Sequence, residues 1–225
     1  AKASFSLETD AQKPTISDQQ ELSLVRARHP LLLLSFKKSG KETIPLNILL
    51  NQSQRIIVIS GPNAGGKSVC MKTLLLLQYM FQCGLPIPAE SISKLGVFNN
   101  IFIDIGDEQS LENDLSTYSS HLLNMKTFLD HANSKTLIAI DEFGTGTEPI
   151  LGGAIAESVL ERLNAKRTFG IITTHYSNLK HAATSLEGII NGAMLFDMEN
   201  LRPLYKLRMG SAGSSFAFEI AKSIG

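Results

Sequence analysis

The sequence predicts an α/β domain whose central sheet is mostly parallel. Runs of apolar and β-branched residues, such as RIIVIS (residues 55–60), alternate with segments of helical periodicity, which is typical of strands joined by crossover helices. Hydrophobic residues make up 43% of the 225-residue chain, enough for one large domain with a sizeable core. We expect residues 1–20 to be a lead-in segment and residues 21–225 to form the domain.

From residue 55 onward the predicted strands and helices alternate along the chain. Before that point we expect a loop over 7–20, one or two short strands over 21–35 that break at Pro30, and an extended segment over 42–50. The later predicted strands are 55–60, 100–105, 136–140 and 168–174, the predicted helices are 67–82, 117–131, 152–164 and 214–224, and an antiparallel pair is predicted over 188–199 and 202–210.

Composition excludes several classes of protein. Lys plus Arg and Asp plus Glu each total 21, which argues against a surface built wholly for polyanions but leaves a local basic groove open. Cys70 and Cys83 have no partners at metal-ligand spacing and are typical of a reduced, cytoplasmic protein. We see no secretory signal, and apolar runs such as Leu74–Leu77 are too short for a membrane span. We therefore expect no membrane partner.

The turn GPNAGGKS fits the phosphate-binding pattern G-x-x-x-x-G-K-[ST]. Glycines let the backbone wrap so that its N–H groups face an anion, and the following helix adds its dipole. Lys67 can reach the β- and γ-phosphates, and the Ser68 hydroxyl can bind Mg²⁺. The alternative is a surface turn with an unrelated lysine, but a buried strand before it and a helix after it favour nucleotide binding. The predicted nucleotide-binding residues here are Gly61, Pro62, Asn63, Ala64, Gly65, Gly66, Lys67, Ser68 and Val69.

Two acidic residues follow the predicted strand 136–140. Asp141 and Glu142 should emerge at the carboxyl edge of the sheet, where open α/β sheets bind ligands. Asp141 would hold Mg²⁺ directly or through water, and Glu142 would activate the attacking water as a general base. The alternative is that the pair only caps the next turn at the surface.

Two further positions have both a structural and a functional interpretation. His175 follows another buried strand at the same edge, where it could contact the γ-phosphate or the attacking water, but a histidine there can also be purely structural. Ser116 or Thr117 begins a predicted helix and would ordinarily be its N-cap. An exposed helix N-terminus is also an anion site, although spacing does not say which phosphate it would meet.

Four separated motifs together resemble the ATPase domain of the MutS proteins. They are GPNAGGKS (61–68), DLSTYSSH (114–121), AIDEFGTGTEP (139–149) and TTHYSNLK (173–180), preceded by ARHPLL (27–32). The segments DIGDEQSLENDLSTYSSH (104–121) and LYKLRMGSAGSSFAFEIAKSIG (204–225) point to the MutS-two branch rather than to the mismatch-recognising members. The resemblance covers most of the chain.

The resemblance implies a three-layer P-loop NTPase fold of the ABC-ATPase type that works as a homodimer with ATP or ADP and Mg²⁺. Two nucleotides would lie between two such domains, with Ser116 of one subunit facing the γ-phosphate held by the other. Asn63 matches the family's asparagine near that phosphate, and the loop Gly144–Thr147 matches the segment that couples the two sites. Ile44 and Tyr205 resemble, by position, the residues that hold adenine.

The resemblance also sets expectations beyond the domain. Asp114–Leu115 departs from the small or basic pair that mismatch-repair members usually carry. Family members have upstream core and clamp domains, and this branch usually ends in a Smr nuclease domain, so we expect the chain to be a fragment of a longer protein. The branch is associated with suppressing recombination at branched DNA and with rescue of collided ribosomes, and DNA or the ribosome is therefore the implied partner.

Three functions compete at this point. The first is a slow ATPase that drives a dimeric clamp, and the second is a nucleotide-gated interaction module in which hydrolysis is incidental. The third is the ATPase subunit of a membrane transporter, which the segment around Ser116 disfavours because it lacks a Leu-Ser-Gly-Gly-Gln type signature.

Overall fold

The computed structural model describes residues 2–106 and 114–213. The helices are α1 (Lys2–Thr9), α2 (Pro30–Lys38), α3 (Lys67–Gln82), α4 (Asp114–His131), α5 (Pro149–Ala165) and α6 (Ser177–Ser185). The strands are β1 (Thr15–Ser17), β2 (Leu22–Ala27), β3 (Leu46–Leu50), β4 (Gln54–Ser60), β5 (Lys94–Gly96), β6 (Asn100–Asp104), β7 (Thr136–Ile140), β8 (Phe169–Thr173), β9 (Gly188–Asp197) and β10 (Arg202–Met209).

A six-stranded sheet of order β10-β9-β4-β8-β7-β6 forms the centre of the fold. Its neighbouring strands from β9 to β6 pair in parallel, and β10 pairs antiparallel with β9 at the edge. A second sheet of order β1-β5-β2-β3 mixes both directions. The predicted α/β class, with a mostly parallel sheet and an additional antiparallel portion, is therefore confirmed.

Two hydrophobic cores lie on opposite faces of the central sheet. Alternate residues of β4 face opposite sides, since Ile57 and Ile59 belong to one core and Ile56 and Val58 belong to the other. The first core is completed by α3 and the second sheet, and the other by α4, α5 and α6. Burial on both faces explains why β4 reads as a continuous apolar run in the sequence.

Before residue 55 the structure confirms the predicted strand segments in β2 and β3 but differs from the prediction elsewhere. The expected loop over 7–20 contains the end of α1 and the strand β1, and the region after Pro30 is a helix rather than a strand. Pro30 occupies the first turn of α2, where a missing N–H costs nothing, and Nδ1 of His29 accepts a 3.4 Å hydrogen bond from Leu32 N as the N-cap.

Later elements agree more closely with the sequence. Helix α3 and strand β7 have the predicted bounds, whereas α4 and α5 each begin three residues earlier than predicted, and β5 and α6 were not predicted. The predicted helix 214–224 lies outside the described residues. Among the helices of the described part of the chain, none is long and apolar enough to cross a membrane.

Candidate functional site

The glycine-rich loop (residues 61–68) connects the carboxyl end of β4 to the start of α3. Its backbone needs glycine at two positions, because Gly61 has φ +145° and Gly66 has φ +91°. A Cβ at Gly66 would also lie 3.1 Å from Cδ1 of Tyr205. A 3-10 turn over Asn63–Gly65 completes the loop, whose end is the N-terminus of a sixteen-residue helix. This arrangement of amides and helix dipole suits an anion.

Lys67 is the buried cation of this loop, with 3% of its surface exposed. Its Nζ donates hydrogen bonds to Gly61 O at 3.0 Å and Pro62 O at 3.1 Å. Burial lowers the pKa of Lys67, while the negative charges of Glu142 and Asp141 act in the opposite direction. The loop, the lysine and the acidic pair therefore form one electrostatic unit, although they come from distant parts of the sequence.

The acidic pair leaves the sheet at the end of β7. Asp141 is half-buried, and its main-chain N–H donates to Asp104 O at 2.9 Å in the neighbouring strand. Glu142 is exposed and has φ +50°, a left-handed conformation that residues other than glycine seldom adopt. Both acids line a polar cleft of about 240 Å³ together with Ser68. Hydroxyl and carboxylate oxygens are the hard ligands that Mg²⁺ prefers.

His175 lies just beyond β8, near the same unit. Desolvation lowers its pKa, the positive charges of Lys67 and Lys180 lower it further, and Asp141 opposes them. A lowered pKa leaves the imidazole neutral at pH 7, so it can accept as well as donate a hydrogen bond. Lys180 is a charged neighbour that the sequence did not single out.

A larger cavity of about 640 Å³ lies on the other side of the glycine-rich loop. Gly66 and Val69 line it, and so do Ile44 and Tyr205, the two residues that resemblance assigned to adenine. Tyr205 reaches the loop because β10 is irregular between Pro203 and Leu207 and Tyr205 itself has φ +53°. An apolar cavity of this size beside a phosphate loop suits a nucleobase.

Other side chains at the site were not predicted. Asp104 is buried at the end of β6, where its carboxylate contacts His121 Nδ1 at 2.7 Å and accepts a hydrogen bond from Asn124 Nδ2 at 2.7 Å. This contact fastens α4 to the sheet, and His121 and Lys72 also line the polar cleft. Asp104 had a sequence signal, a polar residue at a strand's carboxyl end, whereas His121, Asn124 and Lys72 lie on helices.

Two predicted residues are placed only by their backbone. Ser116 lies in the first turn of α4, which begins at Asp114, and Asn63 begins the 3-10 turn of the glycine-rich loop. The coupling loop predicted over Gly144–Thr147 contacts the N-cap residue of α6, since Tyr176 Oη donates to Gly144 O at 3.0 Å. The roles assigned to these residues stay predictions.

Residues 57–225 match the family described as MutS domain V. The match covers most of the chain and includes the glycine-rich loop, the acidic pair and His175. The chain therefore belongs to the MutS family.

Named relatives agree with this assignment. The chain is 44% identical over all 225 residues to the endonuclease MutS2 of Clostridium botulinum strain Okra and to that of Carboxydothermus hydrogenoformans. It is 43% identical over the same length to the endonuclease MutS2 of Halothermothrix orenii. These similarities confirm the predicted resemblance to the MutS-two branch. The chain spans 28% of the length of each of these relatives.

Proposed function

We propose that this chain binds Mg·ATP and hydrolyses it as a P-loop NTPase domain of the ABC type. The observation that carries the proposal is the electrostatic unit of Lys67, Asp141, Glu142 and His175 around a glycine-rich loop that begins a helix. The amides and Lys67 would hold the phosphates, and Ile44 and Tyr205 would enclose the adenine. Asp141 and Ser68 would hold Mg²⁺, which neutralises charge that develops on the transferred phosphoryl group.

The residues present divide the remaining chemistry between them. Glu142 is exposed at the cleft and would take a proton from the attacking water. His175, neutral at pH 7, would orient that water or the γ-phosphate. Ser116 of a second subunit would complete the site, so we expect the single chain to turn over slowly.

A binding measurement tests the first part of the proposal. We expect a calorimetric titration with Mg·ATP to give saturable binding that weakens roughly 10- to 100-fold in Lys67→Ala, because charge-assisted hydrogen bonds contribute about 1.5–3 kcal/mol each. Lys166→Ala is the matched control, since Lys166 is an exposed lysine at the C-cap of α5. Absence of binding heat in the wild type, or equal affinity in both variants, would contradict the proposal.

A kinetic measurement tests the composite site. The turnover per chain should rise with protein concentration, and a non-hydrolysable ATP analogue should shift the chain to a dimer in sizing experiments. Fast turnover that does not depend on concentration would refute a shared site.

The partner of the whole protein is proposed from likeness alone. The relatives are named endonucleases, and we propose that the domain drives opening and closing of a homodimeric clamp on branched or mismatched DNA or on ribosomes. Binding assays with branched DNA and with ribosomes, each with and without Mg·ATP, distinguish the two partners. A nucleotide-independent affinity for both would contradict the clamp.

A further inference from the structure

Thr173 is a fully buried hydroxyl residue beside the acidic pair. It ends β8, which runs parallel to β7 with Ile172 opposite Ile140, so the next residue of each strand, Thr173 and Asp141, meet at the carboxyl edge. None of its side-chain surface is exposed. Burying a hydroxyl is unfavourable unless it is hydrogen-bonded, and the partners of this hydroxyl are therefore informative.

Thr173 contacts three consecutive residues of the loop after β7. Its Oγ1 accepts a hydrogen bond from Glu142 N at 2.8 Å and donates one to Oδ1 of Asp141. Its main-chain oxygen accepts a third from Phe143 N at 2.9 Å. One residue thus fixes a carboxylate and two backbone amides.

The direction of these bonds follows from the number of protons. A hydroxyl has one proton, and the N–H of Glu142 can only donate. The proton of the Thr173 hydroxyl must therefore point at Asp141, which accepts it through Oδ1. This arrangement orients the carboxylate and leaves its second oxygen, Oδ2, to meet other ligands.

The same bonds hold Glu142 in its unusual backbone conformation. A left-handed conformation costs a residue other than glycine about 1–2 kcal/mol. Glu142 adopts it at φ +50° between two hydrogen bonds to Thr173, one from its own N–H and one from the N–H of Phe143. Thr145 adds two hydrogen bonds to Glu142 O, from its N–H at 3.1 Å and from its Oγ1 at 2.8 Å. The bond from Glu142 N is the one that depends on the Thr173 hydroxyl.

We propose that Thr173 is a positioning residue of the acidic pair, whose hydroxyl orients Asp141 toward the metal ion and fixes the backbone that presents Glu142. The proposal rests on the function proposed above. Thr168, the residue directly before the same strand, shows what a purely structural hydroxyl does here. It is equally buried, and its Oγ1 donates to Leu163 O at 2.8 Å, in contact with neither acid.

The test compares Thr173→Val with Thr173→Ser and Thr168→Val. We measure the turnover number, the Mg²⁺ concentration that gives half-maximal turnover, and ATP affinity in EDTA. Changing residues that orient metal ligands typically costs 10- to 100-fold in metal affinity or activity. We expect a loss of that order in Thr173→Val for both turnover and Mg²⁺ requirement, with ATP affinity in EDTA unchanged. Thr173→Ser keeps the hydroxyl and should stay within about threefold of the wild type, as should Thr168→Val.

Every outcome either supports or overturns the role proposed for Thr173. A wild-type Mg²⁺ requirement in Thr173→Val, or an equal loss in Thr168→Val, would overturn the proposal. If Thr173→Val does not fold, Thr173→Ala and Thr173→Ser replace it, because they differ by one hydroxyl, and equal kinetics in these two would refute the role. If the wild type itself binds no Mg·ATP, the proposed function fails. Normal wild-type turnover with unaffected Thr173 variants defeats only this inference.

Discussion

Replacing Gly66 by alanine tests whether the glycine-rich loop needs its left-handed turn. At φ +91° an alanine costs about 1–2 kcal/mol of backbone strain, and its Cβ would lie 3.1 Å from Cδ1 of Tyr205 and 3.5 Å from Cε of Met194. If the loop must adopt this conformation around a phosphate, strain of 1–2 kcal/mol weakens ATP binding by roughly 5- to 30-fold. We expect the tight contact with Tyr205 to move the loss toward the upper end of that range.

Gly84→Ala is the matched control for this experiment. Gly84 follows the other end of α3 with φ +69°, and a Cβ there would meet nothing within 4 Å. Both substitutions also restrict the unfolded chain, which stabilises by about 0.4–1 kcal/mol and cancels in the comparison. Gly84→Ala should therefore change the free energy of unfolding in urea by its backbone strain less that gain, and it should keep wild-type ATP affinity in calorimetry. Equal ATP affinity in the wild type and both variants would refute the reasoning.

Three further predictions concern separate parts of the site. Glu142→Gln removes the proposed base and should lower turnover by about 10²- to 10⁴-fold while ATP still binds and the dimer persists. Tyr205→Ala removes a stacking surface worth about 1–3 kcal/mol and should weaken ATP binding, whereas Tyr205→Phe should not. His29 has a pKa below its ordinary value of 6.5 because of burial and the charge of Lys72. The unfolded chain therefore takes up the proton first, and the free energy of unfolding should fall as the pH drops below about 6.5.

Each of these predictions has an outcome that contradicts it. An unchanged dimer lifetime in Glu142→Gln would favour a nucleotide-gated switch over a hydrolytic cycle. Equal ATP affinities in Tyr205→Ala and Tyr205→Phe would show that the ring does not contact the base. His29→Asn keeps an N-cap acceptor without a titrating group, so urea unfolding between pH 5 and 7.5 should show a smaller acid loss in this variant. The same pH dependence in both proteins would exclude His29 as its source.

The sequence alone determined the features that depend on adjacent residues, namely individual strands, turns and helices. The buried strand β4, the glycine-rich loop and α3 were predictable because apolar runs, glycines and helical periodicity are properties of adjacent residues. The position of the acidic pair and of His175 at the carboxyl edge of the sheet was predictable for a similar reason, since they come within two residues of the ends of β7 and β8. Helix α2 was missed because its four leucines at 31–34 suit a strand equally well, whereas the helix start is marked by Pro30 in the first turn and by the N-cap His29.

Only the tertiary structure decided which distant residues meet. Thr173 was only one residue of the predicted strand 168–174, and its contacts with Asp141 and Glu142 depend on the register of β8 against β7. The approach of Tyr205 to Gly66 likewise depends on an irregularity in β10 that no local sequence pattern predicts. The register between neighbouring strands fixes which of their residues hydrogen-bond to each other. Because these residues are far apart in the chain, the order of residues in one sequence does not specify that register directly.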